Sequence, residues 1–357
     1  MTLEAWIDQI VSGISPVSET WRSIALKRLD SLTKPLGSLG QLEEIAAQWV
    51  AVRGERWLEP LCKGAFVFAA DHGVTAEGVS AYPQEVTRQM VLNFVAGGAA
   101  VNVLARAHNA SLTVIDVGVA GDLDSVAGLV RSKVANGTRN MRREPAMSED
   151  EVCKALEAGA SMASLASEAG QSVVAIGEMG IGNTTAASAI ACALTGADPH
   201  AVTGRGTGVS DTMYQHKVEI VRETVAHHFG PSLPAHPAEV LRCIGGLEIA
   251  AMTGMILQAS RLGMIVVIDG FIATAAALVA TKFAPACHGY LIAGHSSSER
   301  GHAVLLEHLK LRPLLNLNMR LGEASGAILA MPIIEAAVAL YGQMATFESA
   351  GVSEASA

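Results

Sequence analysis

Five short runs of apolar, β-branched residues punctuate this chain, and each is followed by a longer stretch with helical period. The runs are AFVF at 65–68, LTVIDV at 112–117, SVVAI at 172–176, MIVVI at 264–268 and YLIA at 290–293, with a weaker sixth, LLNL, at 314–317. Strands that are apolar on both faces suit the middle of a parallel sheet covered by helices on two sides. The intervening segments, such as 149–170 and 211–229, have the length and period of helices. This alternation predicts an α/β fold built on a doubly wound, mostly parallel sheet.

The ends differ from the middle. Residues 1–54 and 325–357 carry helical patterns and no convincing strand. They are expected to form a small helical domain from both termini beside an α/β domain over 55–324, and a length of 357 residues suits two domains. Ser38 and Gln41 have the spacing of a capping box at the start of one terminal helix. Half of the residues are hydrophobic and 17% are charged, which is ample material for a large core.

A net charge of −9 with no lysine or arginine run excludes a nucleic-acid footprint. Five scattered cysteines without a CxxC pair predict reduced thiols, hence the cytoplasm, and no zinc site. The first ten residues, MTLEAWIDQI, include Glu4 and Asp8 and lack the basic start of a signal peptide. The most apolar stretch, 263–281, has Asp269-Gly270 in its middle, and reads as strand, turn and helix rather than a membrane span.

The five stronger strand runs each end in a titratable residue. These are Asp71 with His72, then Asp116, Glu178, Asp269 and His295. Ligands of open parallel sheets bind beyond the carboxyl ends of the strands, so this row predicts a cleft there. Two glycine-rich loops sharpen the expectation. Gly177, Gly180 and Gly182 lead through Asn183 and Thr184 into a helix, and Gly204-Arg205-Gly206-Thr207-Gly208 precede another that contains Lys217. Glycines let backbone approach a phosphate, and a helix start offers oriented N–H donors. Neither loop has the Gly-Lys-Ser/Thr of a P-loop or the GxGxxG of dinucleotide sites.

Near the other end, Gly322-Glu323 runs into the apolar helical pattern 327–340. A carboxylate at that junction, among Met319 and Leu321, is partly desolvated and becomes a usable proton acceptor. The loop 78–83, with Ser80 and Tyr82, can hydrogen-bond a planar ligand. Asp71, His72, His295 and His302 admit a metal-site reading, though without tight ligand spacing.

Six motifs together carry a resemblance. They are KPLGSLGQLE at 34–43, AADHGV at 69–74, EGVSAYPQEVT at 77–87, GEMGIGNTT at 177–185, GRGTG at 204–208 and MRLGEASGA at 319–327. With these the chain resembles, almost end to end, the nicotinate-nucleotide–dimethylbenzimidazole phosphoribosyltransferase family. The resemblance implies a Rossmann-like sheet with a smaller helical domain, a homodimer, and no required metal or organic cofactor. It implies transfer of 5-phosphoribosyl from nicotinate mononucleotide to 5,6-dimethylbenzimidazole with inversion at the anomeric carbon. By the same likeness Glu323 is the catalytic base and Glu178 the second acid. Ser80, Tyr82 and Gln89, with Met319 and Leu321, fall near the benzimidazole. Ribose and phosphate contacts fall on the two glycine loops, Lys217, Asp269 and Ser296. Asn318 departs from the Asp often found at that position of the family.

The chemistry fits these residues. The leaving group is a pyridinium that departs as a neutral ring, so no pyrophosphate needs a Mg²⁺-binding acidic pair. Positive charge developing on the ribose suits a carboxylate such as Glu178. The attacking benzimidazole must lose its second N–H, which Glu323 can take. Two other readings stand beside this one: a metal-dependent phosphohydrolase using Asp71, His72, His295 and His302, and a non-catalytic nucleotide-binding regulator.

Overall fold

A computed structural model describes residues 2–353 apart from Thr207 and Pro231. Six strands form one sheet: β1 (Lys63–Ala70), β2 (Ser111–Gly118), β3 (Leu129–Arg131), β4 (Val173–Met179), β5 (Ile265–Ile268) and β6 (Leu291–Ala293). Every pairing is parallel, in the order β3-β2-β1-β4-β5-β6. That is the doubly wound order, whose direction reverses between β1 and β4 and opens a crevice at their carboxyl ends.

Side chains alternate across the central strands, and this divides the interior into two cores. Phe66, Phe68, Val174, Ile176, Val266 and Ile268 face one core, with the helices Glu149–Glu168, Asn183–Thr195, Leu247–Arg261 and Phe271–Phe283. Val67, Val173, Ala175, Ile265 and Val267 face the other, with the helices Gln41–Arg53 and Ser325–Gln343. Both faces are covered, which explains why the strands read as continuous apolar runs.

The five stronger runs coincide with β1, β2, β4, β5 and β6, and 263–281 folds as β5 followed by the helix Phe271–Phe283. The sixth strand is not 314–317. Leu315 makes only an isolated bridge to His295, beyond the end of β6. The true sixth strand, β3, is a three-residue edge paired with β2 alone, too short to show a pattern. The Ser38 cap is also corrected. The helix Gln41–Arg53 starts from Gly40 (φ 56) with no side-chain cap, because the turn runs two residues past Ser38. Glu43 instead accepts from the Leu39 N–H at 3.0 Å and pairs with Lys34 at 2.8 Å.

Segments from the two ends meet. Arg28 Nε donates to the Tyr341 carbonyl at 2.8 Å, and the Thr33 N–H donates to Ala345 at 3.0 Å. The first helix, Leu3–Val11, packs on the opposite face of the sheet among the residues of Glu149–Glu168 and Leu247–Arg261. Two helical stretches, Glu85–Ala107 and Ser325–Gln343, are long and apolar enough to cross a membrane by length and composition. The second is a core helix lying on the sheet, and the first is interrupted at Gly97 (φ 81).

Candidate active site

A cleft of about 680 Å³ opens at the carboxyl ends of β1, β4 and β5, at the point where the strand order reverses. One wall is apolar, made by Val86 and Met90 from the helix Glu85–Ala96 together with Tyr82, Met179 and Leu321. Gly180, Gly182, Asn183, Thr184, Gly206, Ser297 and Glu299 supply polar lining, and Glu178 and Glu323 line the same cleft.

Glu323 is presented by an unusual turn. Gly322, Glu323 and Ala324 all have positive φ (86°, 62° and 63°), and the last serves as N-cap of the helix Ser325–Gln343. Each non-glycine residue in that region costs about 1–2 kcal/mol. Two features hold the turn in place. Asp269, at the end of β5, accepts from the Gly326 and Ala327 N–H groups at 2.6 and 3.0 Å, which satisfies the helix start. Gly177 in β4 leaves the room: a Cβ there would lie 2.0 Å from the Ala324 nitrogen.

The Glu323 side chain is 6% exposed, and its Oε2 is buried with no protein hydrogen-bond partner. Burial pushes its carboxyl up to about 7, close to where a general base works best in neutral water. Glu178 ends β4 and accepts from Asn183 Nδ2. Burial drives it well above the usual carboxylate range, and the nearby charges of Glu248 and Asp269 add to the effect. The Glu178 carboxyl therefore holds a proton more tightly than an exposed one.

The helix Asn183–Thr195 begins at Gly182 (φ 98) with no side-chain cap, and two of its first three N–H groups, Asn183 and Thr185, donate back to the Gly180 and Gly182 carbonyls at 3.1 and 2.9 Å. Lys217 reaches this point from the helix Asp211–Phe229 and donates to Thr184 Oγ1 at 2.7 Å. It is 1% exposed, and burial lowers its ammonium to about 8, against the pull of the Glu299 charge. Arg320, from the Glu323 turn, donates to the Gly206 carbonyl at 3.0 Å and ties the two loops together.

Of the residues expected from sequence, Glu323, Glu178, Ser80, Tyr82, Leu321, Gly180, Gly182, Asn183, Thr184 and Gly206 line one cleft. Lys217 touches it through Thr184. Others lie outside the lining. Gln89 is exposed on its helix, beside Met90, which does face in. The Met319 carbonyl accepts from the Ser298 N–H, and the Ser296 N–H is spent on Leu315. The Arg205 side chain turns away to Asp211 and the Tyr214 ring, and Asp269 is spent on helix N–H groups. Gly204 packs under Glu299, Gly208 is away from the lining, and Thr207 lies outside the described residues. Val86, Met90, Met179, Ser297, Glu299 and Arg320 were missed. The i, i+4 spacing of Val86 and Met90 is the one signal that pointed inward.

The residues of the metal reading do not converge. His72 bonds Glu248 at 2.6 Å, beneath Gly180. His302 accepts from the Ser297 N–H and pairs with Thr274. Among the described residues no group of three His, Cys, Asp or Glu could hold a metal ion.

A cleft at the reversal of a doubly wound sheet that brings a glycine-rich helix start and a buried acid together beside a buried lysine suits a transferase of phosphorylated sugars. A family model described as Phosphoribosyltransferase matches residues 14–352. The nicotinate-nucleotide–dimethylbenzimidazole phosphoribosyltransferases of Geotalea uraniireducens and Chromobacterium violaceum are 47% and 49% identical, over 98% and 97% of this chain and 98% and 100% of theirs. A crystal structure of CobT from Thermus thermophilus superposes with a TM-score of 0.89 at 48% identity, covering 94% of this chain and all of that one. The chain belongs to the nicotinate-nucleotide–dimethylbenzimidazole phosphoribosyltransferase family.

Proposed function

We propose that this protein transfers the 5-phosphoribosyl group of nicotinate mononucleotide to 5,6-dimethylbenzimidazole, giving α-ribazole 5′-phosphate and nicotinate. One observation carries the reading: Glu323, buried, with its Oε2 lacking a protein partner and its carboxyl raised to about 7, shares a cleft with the glycine-rich start of the helix Asn183–Thr195 and with Thr184, which Lys217 touches. The sugar phosphate takes Thr184 and the Lys217 ammonium. The aromatic base lies against Val86, Met90, Met179 and Leu321. Its free ring nitrogen attacks the anomeric carbon from the face opposite the departing nicotinate, which inverts that centre. The N–H on the other ring nitrogen passes its proton to Glu323.

Glu178 has a different part in this scheme. Fixed by Asn183 and raised by burial, its carboxyl serves the ribose as a hydrogen-bonding group, and the cationic pyridinium of the bound nucleotide favours its ionised form, with any proton released to water. No step calls for a metal or an organic cofactor.

The working unit is a homodimer in this reading. Family likeness supports it, and so does the apolar stretch Glu85–Ala107, only about a third of which is buried within one chain. Incubation of pure protein with nicotinate mononucleotide and dimethylbenzimidazole, followed by mass spectrometry, tests the reaction. α-Ribazole 5′-phosphate and nicotinate should appear in equal amounts, and their absence would remove the assignment.

A further inference from the structure

The proposed reaction requires the loop after β1 and the loops that would hold the phosphate to keep a fixed spacing, and one residue outside the cleft lining joins them. Glu77 ends the short helical turn Gly73–Glu77 that follows β1, immediately before Gly78 (φ 69) and the segment carrying Val79, Ser80 and Tyr82. Its side chain is only 7% exposed, although it lies next to charged surface residues. Both carboxylate oxygens are filled. Oε1 accepts from Asn140 at 2.6 Å and Arg143 at 3.2 Å, and Oε2 accepts from Arg142 at 2.5 Å.

Two connections run from this point to the phosphate end. The Glu77 carbonyl accepts from His216 Nε2 at 2.7 Å, which fixes the proton on that nitrogen because a carbonyl only accepts. Arg142 also pairs with Glu223 at 2.6 Å. His216 and Glu223 stand on the helix Asp211–Phe229, the same helix that sends Lys217 to Thr184. Consecutive helical residues point about 100° apart, so His216 holds the base-side loop while Lys217 serves the phosphate side. Asn140 and Arg142 belong to a segment that also grips the end of β1, where the Thr138 N–H donates to the Asp71 carbonyl at 3.0 Å. The base-side loop and the phosphate-side helix therefore meet at one residue, Glu77, whose carboxylate reaches the helix through Arg142 and Glu223 and whose carbonyl reaches it through His216.

The geometry points to Glu77 as a positioning residue that sets the distance between the aromatic-base subsite and the phosphate subsite. It touches neither substrate. Its effect is on whether a bound base and a bound nucleotide face each other at reacting distance, and small errors there are costly in rate. The pair of exposed arginines would be weak as isolated surface bridges. Here they converge on a mostly buried acid, and removing it frees Asn140 and Arg142 and breaks the Arg142–Glu223 link to the helix, leaving only the bond of His216 to the backbone carbonyl.

This inference rests on the phosphoribosyl-transfer reading, and the native protein in the same assay separates the two. If native protein forms no α-ribazole 5′-phosphate, the reading fails; if native protein is active, the variant decides the inference. Glu77→Ala should raise KM for dimethylbenzimidazole and lower kcat, each by about tenfold, a fraction of what a misplacement of about 1 Å can cost. The Kd for nicotinate mononucleotide, measured by calorimetry, should stay within about twofold of native, because Lys217 and Thr184 keep their bond. A nucleotide Kd that rises in step with the base KM would show general unfolding of the site and overturn the inference, as would a base KM and kcat unchanged from native. Should Glu77→Ala fail to fold, Arg142→Ala, at the half-exposed end of the same link, carries the same test. Where both fold, the double variant should add little to the single ones, since the two side chains act as one connection.

Discussion

At Glu323 three unfavourable features coincide: left-handed backbone, burial, and a carboxylate oxygen with no partner. Proteins retain such strain where chemistry uses it. The pH consequences have a definite sign. As a base Glu323 must be ionised, so kcat should rise with pH and level off above about 7, followed by a pH–rate profile. For stability the direction is opposite. The folded state binds a proton at Glu323 more tightly than the unfolded chain, so its contribution is full below the ordinary 4.5 and is lost as pH rises through about 7. Asp269, also raised to about 7 by burial, acts in the same direction.

Glu323→Gln should therefore lose about 10²–10⁴-fold in kcat. Its melting temperature should exceed native at pH 8, by a margin that disappears near pH 4.5. A variant less stable than native at pH 8 would contradict the picture of an uncompensated buried charge. Lys217→Ala should mainly raise KM for the nucleotide, seen in initial rates at saturating aromatic base. An unchanged KM would leave its bond to Thr184 without a ligand role.

Elements act here chiefly by holding one another's ends. The start of the helix Ser325–Gln343 is completed by a side chain just after β5 and seated on β4 at a glycine, so the Glu323 turn is a product of three elements. Asp269→Ala strands two buried N–H groups, at roughly 1–3 kcal/mol for each. The melting temperature should drop and kcat should fall with it. Asp269→Asn keeps an acceptor at that position and should restore most of both, which thermal melts and initial rates would check. Equal loss in the two variants would mean that the charge, rather than the bonds, is what the helix start needs. The same scale explains two departures from expectation. A helix start is set by where the turn ends, so Gly40 rather than Ser38 leads Gln41–Arg53. A three-residue edge strand such as β3 is defined by its neighbour β2 and has no periodicity of its own.

For the whole molecule, the sheet fixes where the cleft must lie, and the apolar stretch Glu85–Ala107 beside it is left largely uncovered by its own chain. Light scattering should return twice the chain mass. Val103→Arg, which places a charge at a 53% exposed position of that stretch, should shift the mass toward a single chain. A dimer unaffected by this change would locate the contact elsewhere.

The pattern of residues determined the alternation of strand and helix, because periodicity and burial on both faces are local properties of a segment. It also marked the acids and glycines at the strand ends, since Glu178, Gly182 and Glu323 stand at junctions any reader of turns can find. Which of those groups share a space was decided by tertiary packing. Asp269 and Arg205 look like ligands in the chain, yet one is spent on a helix start and the other on the surface, while Val86, Met90 and Glu299 line the cleft. Protonation was likewise settled by the fold. The same carboxyl holds its proton far more tightly when buried beside other acids than in an open chain, as at Glu178, because desolvation and neighbouring charge exist only once distant segments have met.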